Sequence, residues 1–261
     1  VVIIDLTRGE AAKFGADKRI EEAEKARRIL GFERVILNFG DKNISLSQEH
    51  KGQIKELIEK YKPEIVAVAG SVGKTSTKDA VYTVLSGSNF VRKSDKSFNT
   101  EVGVPLTILG LHNASSNPLA WTKNLIEGLL LLLPSVYPKT LVLEMGADKP
   151  GDITEIISWA KPTIAIGTHF PDIPVHVEFF EGPQAVMDED AKVFSATLRE
   201  GMVILNHDDP NMMQYGEALE QKIITYGFSS GSGVVGSRAK CVYKNKRPVG
   251  MSCHVVYQDQ T

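Results

Sequence analysis

Val66-Ala67-Val68-Ala69-Gly70-Ser71-Val72-Gly73-Lys74-Thr75-Ser76-Thr77 is the stretch that decides the fold. It opens as an apolar run, turns through two glycines and continues into a helix predicted over 75–85. A short run that is apolar at every position, bounded by turn signals, fits a strand buried on both faces of a parallel sheet. The glycines let the backbone bend and leave N–H groups free to face an anion. The positive end of the helix dipole points to the same spot. Lys74 adds a mobile positive charge, and the Thr75 hydroxyl is placed to bind a magnesium ion. The standard phosphate-loop pattern has a further glycine where Val68 stands. The shorter form Gly70-x-x-Gly73-Lys74-Thr75 is also compatible with an ordinary glycine turn and a solvated lysine. The buried strand before it favours phosphate binding.

Strand and helix alternate on both sides of this stretch. Upstream, Val1 to Ile4 reads as a strand and Asp17 to Leu30 as a helix, with Ile20, Ala23 and Leu30 on one face and Gly31 after its end. Val35 to Phe39 reads as a second strand. A second helix begins at Ser47 and ends before Pro63. Downstream, strands are expected over Thr140–Leu143, Thr163–Gly167, Met202–Leu205 and Ile223–Tyr226. Helices are expected from Pro150 to Ala160 and up to Leu198. Val234 to Tyr257 reads as a β-hairpin with a basic turn at Lys244-Asn245-Lys246-Arg247-Pro248. The alternation argues an α/β fold with a parallel sheet.

Composition sets outer bounds. The 261 residues are 42% hydrophobic and 24% charged, with a net charge of −2. That is an ordinary globular balance, without the basic excess of a nucleic-acid or anionic-membrane binder. Cys241 and Cys253 form neither a metal knuckle nor a disulfide framework, so a reduced, cytoplasmic setting is expected. The run Leu129 to Leu133 is too short to span a membrane and is closed by Pro134. No signal peptide is evident. The chain starts at Val1 inside a strand-like run, so a fragment or a processed product is expected. Nothing in the sequence speaks to oligomeric state.

Five motifs occur in order: the glycine loop, Asn99-Thr100-Glu101-Val102-Gly103-Val104-Pro105, Glu144-Met145-Gly146, His176, and Asn206-His207-Asp208-Asp209. In this order they resemble the central ATPase domain of the Mur ligases, most closely the MurF-like branch. The resemblance runs from about Val66 to about Phe228, and more weakly to the end. The short glycine loop is that family's own form. The resemblance implies a three-layer α/β domain with a parallel sheet of P-loop NTPase type. It also implies an ATP- and Mg2+-dependent carbon–nitrogen ligase of peptidoglycan precursor synthesis. Such an enzyme activates a carboxylate as an acyl phosphate, which an amine then displaces. The implied substrates are a UDP-muramoyl-peptide and D-alanyl-D-alanine.

The family's site residues carry over position by position. Gly70, Ser71, Gly73, Lys74, Thr75 and Ser76 would hold the phosphates, with Lys74 on the β- and γ-phosphates. Thr75 and Glu144 would hold one magnesium, and His176 would help to hold a second. Asn99 and Thr100 would line the phosphate and acceptor side, and Asn206 would lie near the adenine. Simpler readings exist for several of these: a helix-capping acid at Glu144, a packed loop histidine at His176, and turn chemistry at Asn99, Thr100 and Asn206.

Three departures stand out. Asp190 stands fourteen positions after His176, where the resemblance places a lysine whose carbamate supports the second magnesium. Lys192 is the nearest lysine, and two positions on a helix lie about 200° apart. Three readings stay open: a helix start of different length, a catalytic Asp190 carboxylate acting through a bridging water, or a solvated acidic face at Asp188-Glu189-Asp190. The second departure is the N-terminal unit, residues 1–63. Its Leu6-Thr7-Arg8-Gly9-Glu10, Arg19-x-x-Glu22-Ala23 and Ala26-x-x-x-Leu30-Gly31 resemble part of the PIG-L/LmbE deacetylase family, a Rossmann-like α/β segment. That family's zinc motifs are absent, and His50 is the segment's lone histidine. Arg8 and Glu10 read as relics of a site or as residues that only complete a sheet. The third departure is at the far end. Residues 64–261 lack the family's later helices and its C-terminal domain, so an ATP-binding module or remnant without its own ligase turnover is the alternative function.

Overall fold

The computed structural model describes residues 2–5, 33–36, 55, 56, 58–94, 99, 103–112, 123, 124, 127 and 136–257. The helix expected over Asp17–Leu30, the start of the one expected from Ser47, and Thr100 lie outside these residues. Strands β1 (Val2–Asp5) and β2 (Glu33–Ile36) pair in parallel as a two-stranded sheet of their own.

The main sheet contains β3 (Glu64–Ala69), β4 (Val91–Lys93), β5 (Thr140–Glu144), β6 (Ile164–Gly167), β7 (Met202–Asn206), β8 (Lys222–Gly227), β9 (Val234–Lys244) and β10 (Arg247–Tyr257). Their spatial order is β10-β9-β8-β7-β6-β3-β5-β4. All neighbours run parallel except β9 and β10, which form the antiparallel hairpin expected from the sequence. The helices are α1 (Lys74–Leu85), α2 (Gly103–Leu109), α3 (Asp152–Ile157), α4 (Pro183–Ser195) and α5 (Pro210–Gly216).

Strand β3 explains the apolar run. Its alternate residues serve two cores. Ile65, Ala67 and Ala69 pack with Val104 and Ile108 of α2, Ile153 and Ile156 of α3, and Met187 and Phe194 of α4. Val66 and Val68 pack on the opposite face with Val142, Ile166 and the α1 residues Val81, Tyr82 and Leu85. A strand covered on both faces has no solvent side, so its sequence has no polar alternation. The three layers follow from this: helix, sheet, helix. Truncating a fully enclosed side chain such as Leu141 to alanine would cost about 2–5 kcal/mol.

Two helices end earlier than the sequence suggests. α3 stops at Ile157 because the Ser158 and Trp159 amides turn tightly onto Glu155 and Ile156. α4 stops at Ser195, and the Leu198 amide leaves the helix to donate to the Pro162 carbonyl at 2.9 Å.

The order of the strands places the site. From β3 the chain crosses to β4 and returns through β5 on one side. It then continues through β6 and β7 on the other. The order thus reverses at β3, and open α/β sheets bind ligands beyond the carboxyl ends of strands at such a switch point.

Candidate active site

The loop after β3 is anchored to both of its neighbours. The Met145 amide donates to the Val68 carbonyl, and the Thr168 amide donates to the Ala69 carbonyl, each at 2.9 Å. The Ser71 amide donates to the His169 carbonyl at 2.9 Å. Gly70 takes φ 120°, and a Cβ there would lie 2.4 Å from Thr168 Oγ1. Only glycine fits both the conformation and the space. Gly73 takes φ 86° and starts α1 without a side-chain cap. The start of that helix is thus a place where a polypeptide can receive an anion.

Beyond the loop lies a cleft of about 470 Å³ lined by Ser71, Gly73, Lys74, Thr75, Ser76, Asn99, Glu144, Asp148 and His176. Eight of these nine are residues that the sequence nominated. Thr75 Oγ1 lies 3.1 Å from both oxygens of Glu144, whose side chain is buried at the end of β5. Lys74 Nζ folds back onto the Gly70 carbonyl at 2.6 Å. Gly146 leaves room for it: a Cβ there would lie 3.1 Å from Lys74 Cε and 3.3 Å from Asn99 Nδ2. Ser71 Oγ is buried and has no hydrogen-bond partner among the described residues.

His176 sits in the left-handed region with φ 64°, followed by a 3-10 turn over Val177–Phe179. Such a conformation is unfavourable for a residue with a Cβ, and it is often found at functional sites. Its Nε2 lies 3.5 Å from Asp148 Oδ1. Sequence reasoning missed Asp148, which sits in a loop four residues past Glu144 without periodicity to mark it. The loop is held by Asp152, whose Oδ2 accepts the Asp148 and Lys149 amides at 3.0 Å.

Asp190 is not on a solvated face. Glu189 and Asp190 are both buried, which overturns the acidic-face reading for these two; only Asp188 is exposed. Asp190 Oδ1 accepts the Ala147 amide at 2.8 Å. Desolvation pushes its carboxyl up to about 7, against the pull of Lys74 and of the Ala147 amide. It stands behind the loop that carries Asp148 and does not line the cleft. Glu189 accepts the Ile153 and Thr154 amides and so caps α3 from another helix. Lys192 bonds Glu189 and Thr154, turned away from Asp190 as the helical angle requires.

Asn206 stands apart from the cleft lining, with its Nδ2 donating to the Thr168 carbonyl at 2.9 Å. Next to it, His169 Nδ1 meets Asp209 Oδ2 at 2.8 Å, and Asp209 also accepts the Phe170 and Met212 amides. The sequence reading includes Asp209 in the Asn206-His207-Asp208-Asp209 motif without giving it a role of its own. Among the described residues, no group of three or more His, Cys, Asp or Glu side chains is placed to hold a metal ion.

A family model for the Mur ligase middle domain matches residues 68–256. The chain belongs to the Mur ligase family. A Mur ligase relative from Mycobacterium leprae, UDP-N-acetylmuramoyl-tripeptide–D-alanyl-D-alanine ligase, is 29% identical over 160 residues, which is 61% of this chain and 26% of the relative. MurF from Acinetobacter baumannii superposes with a TM-score of 0.67 at 17% identity, over 98% of this chain and 50% of that one. MurF ligase from Thermotoga maritima in complex with ADP gives 0.64 at 20% identity, over 99% of this chain and 53% of that one. At these identities the two structures share the Mur ligase fold. The chain spans about a quarter of the length of the first relative and about half of each crystallised MurF.

Proposed function

We propose that this chain is the ATP-binding module of a MurF-like, ATP-dependent carbon–nitrogen ligase of peptidoglycan precursor synthesis. The single observation that carries the reading is the Thr75–Glu144 pair beside the glycine loop of a Mur ligase middle domain. The reaction class is activation of a carboxylate as an acyl phosphate, followed by amide formation with an amine. The substrates proposed are a UDP-muramoyl-peptide and D-alanyl-D-alanine, from the names of the relatives. No helix among the described residues is long and apolar enough to cross a membrane. A cytoplasmic setting is part of the proposal.

The residues fit a nucleotide phosphate. Ser71, Gly73, Lys74, Thr75 and Ser76 line the cleft at the start of α1, where Gly73 brings no side-chain cap. Lys74, now on the Gly70 carbonyl, is long enough to swing onto a phosphate oxygen. The residues also fit a hard divalent cation, since Thr75 and Glu144 offer oxygen donors only. A Mg2+ held there supplies charge neutralisation on the phosphate oxygens during transfer. Gly70, Gly73 and Ser76 shape the loop, and Asn99, which lines the cleft, is a candidate for the phosphate and acceptor side. Thr100 and Asn206 remain candidates for the acceptor and adenine sides. His176, held near Asp148, is the candidate for a second cation. Asp190 orients that loop through the Ala147 amide and reaches a cation only through water.

Residues 1–63 are read as a separate α/β unit, on the strength of the independent β1–β2 pair. The MurF alignments over 98–99% of the chain support a counterpart for that unit within the MurF architecture.

Calorimetry of ATP with Mg2+ tests the central reading. Binding is expected to be lost in Lys74→Ala, and an unchanged affinity overturns the phosphate-loop reading. A second reading, nucleotide binding without independent turnover, is favoured by Asp190 in the place of a lysine. Phosphate release dependent on both UDP-muramoyl-tripeptide and D-alanyl-D-alanine would rule it out.

A further inference from the structure

Lys78 lies one helical turn beyond Lys74 on the same face of α1, and it is wholly enclosed. Its Nζ is 3.6 Å from Glu144 Oε2, 3.2 Å from Ser94 Oγ at the end of β4 and 3.8 Å from Asp79 Oδ1. A buried ammonium is stable only against a compensating charge and hydrogen-bond acceptors. Glu144, itself 2% exposed, is the nearer and the buried compensating charge, with the half-exposed Asp79 beside it. The same carboxylate also meets Thr75, one turn nearer the start of α1, with Oε2 in reach of both side chains. Thr75 and Glu144 line the cleft, and Lys78 is enclosed away from it.

We infer that Lys78 is a positioning residue that aims Glu144 at the cation seat and makes that seat nearly neutral until a nucleotide arrives. The inference rests on the reading of Thr75 and Glu144 as the seat. The negative charge of Glu144 is already shared with an ammonium that cannot leave. A divalent cation arriving alone meets little net attraction and the repulsion of Lys78. A cation arriving with phosphate oxygens brings its own compensating charge. The cation therefore enters as the nucleotide complex. The sequence hides this device, because a lysine four positions after another on a helix usually lies on a solvated face.

The test is a titration of Mn2+, without nucleotide, into the 261-residue chain, followed by the electron paramagnetic resonance of free Mn2+. The wild type is expected to bind weakly. Lys78→Met, close to lysine in shape but uncharged, is expected to bind Mn2+ at least about tenfold more tightly, because the repulsion is gone. Lys78→Arg is expected to bind as weakly as the wild type. The double variant Lys78→Met with Glu144→Gln is expected to lose the gain. Equal free-Mn2+ affinity in the wild type and Lys78→Met overturns the inference. Should Lys78→Met fold poorly with Glu144 uncompensated, Mn2+ is expected to restore its circular dichroism and raise its melting temperature more than that of the wild type. Absence of that recovery also overturns the inference. A parallel titration with Mn2+ and ATP separates the two readings. Undiminished Mn2+·ATP binding in Glu144→Gln overturns the seat itself. Diminished binding there, with free-Mn2+ affinity unaltered in Lys78→Met, overturns the role of Lys78 alone.

Discussion

Thr75 and Glu144 meet across 69 residues of chain, with the threonine hydroxyl 3.1 Å from each carboxylate oxygen. The hydroxyl comes from the first turn of α1 and the carboxylate from the last position of β5. Glu144→Gln keeps the shape and removes the charge. Its affinity for ATP in the presence of Mg2+ is expected to fall at least about tenfold, the scale of one charge-assisted contact. Its affinity without Mg2+ is expected to change little. Calorimetry with and without the cation checks both halves.

The two loop glycines are expected to respond differently to alanine. At Gly73, with φ 86°, the nearest atom to a new Cβ is 3.9 Å away, so the left-handed backbone alone costs about 1–2 kcal/mol. At Gly70 a Cβ would also press on Thr168 Oγ1 at 2.4 Å, and that hydroxyl is engaged with the Ala69 carbonyl. The added overpacking costs about 1–3 kcal/mol more. Thermal melts of the two variants should therefore rank Gly70→Ala below Gly73→Ala, and both below the wild type.

Asp190 ties stability to pH. Burial raises its carboxyl to about 7 in the folded chain, above its ordinary value of 3.8. Between those values the folded chain binds the proton that the unfolded chain releases. Stability attributable to this group is therefore full at low pH and declines as pH rises through about 7. The full difference is at most about 4 kcal/mol. Asp190→Asn keeps an acceptor for the Ala147 amide and removes the titration. Urea midpoints at pH 5.5 and 8 should show the variant gaining on the wild type at the higher pH. A parallel loss in both proteins would show that Asp190 is not the group responsible.

Asp209 serves three donors at once: the His169 ring at 2.8 Å, the Phe170 amide at 2.6 Å and the Met212 amide at 3.1 Å. The last of these makes it the N-cap of α5. Asp209→Ala leaves two buried amides, those of Phe170 and Met212, without this acceptor and is expected to cost at least about 2–3 kcal/mol. The urea midpoint should fall with an unchanged slope.

Those features of the sequence that depend on local pattern were legible. The run from Ile65 to Ala69 is apolar throughout because both faces of β3 are covered, and the glycine spacing is the loop itself. The hairpin at Asn245-Lys246 declares itself by composition, and both residues take positive φ. What the sequence hid depends on where a side chain ends. Lys78 and Asp190 have polar names and buried positions, because their partners Glu144 and Ala147 come from a distant strand and loop. One of the three readings of the acidic triplet at 188–190 is a single solvated face, yet the triplet divides between solvent, the start of α3 and the Ala147 amide. Asp148 lies in a loop without a period, and the carboxylate of Asp152, which comes later in the chain, accepts its amide.

The anchoring of the glycine loop has a consequence for biosynthesis. The loop and α1 leave the ribosome before β6, so the Ser71 amide waits for the His169 carbonyl, and β3 waits for β6 to cover its second edge. These contacts are distant in sequence, and loop closure must precede them. A nascent chain that has emerged only through β5 carries the whole phosphate motif and half of its support. Competence to hold a nucleotide thus waits for β6, although the residues that define it are among the first of the main sheet to appear.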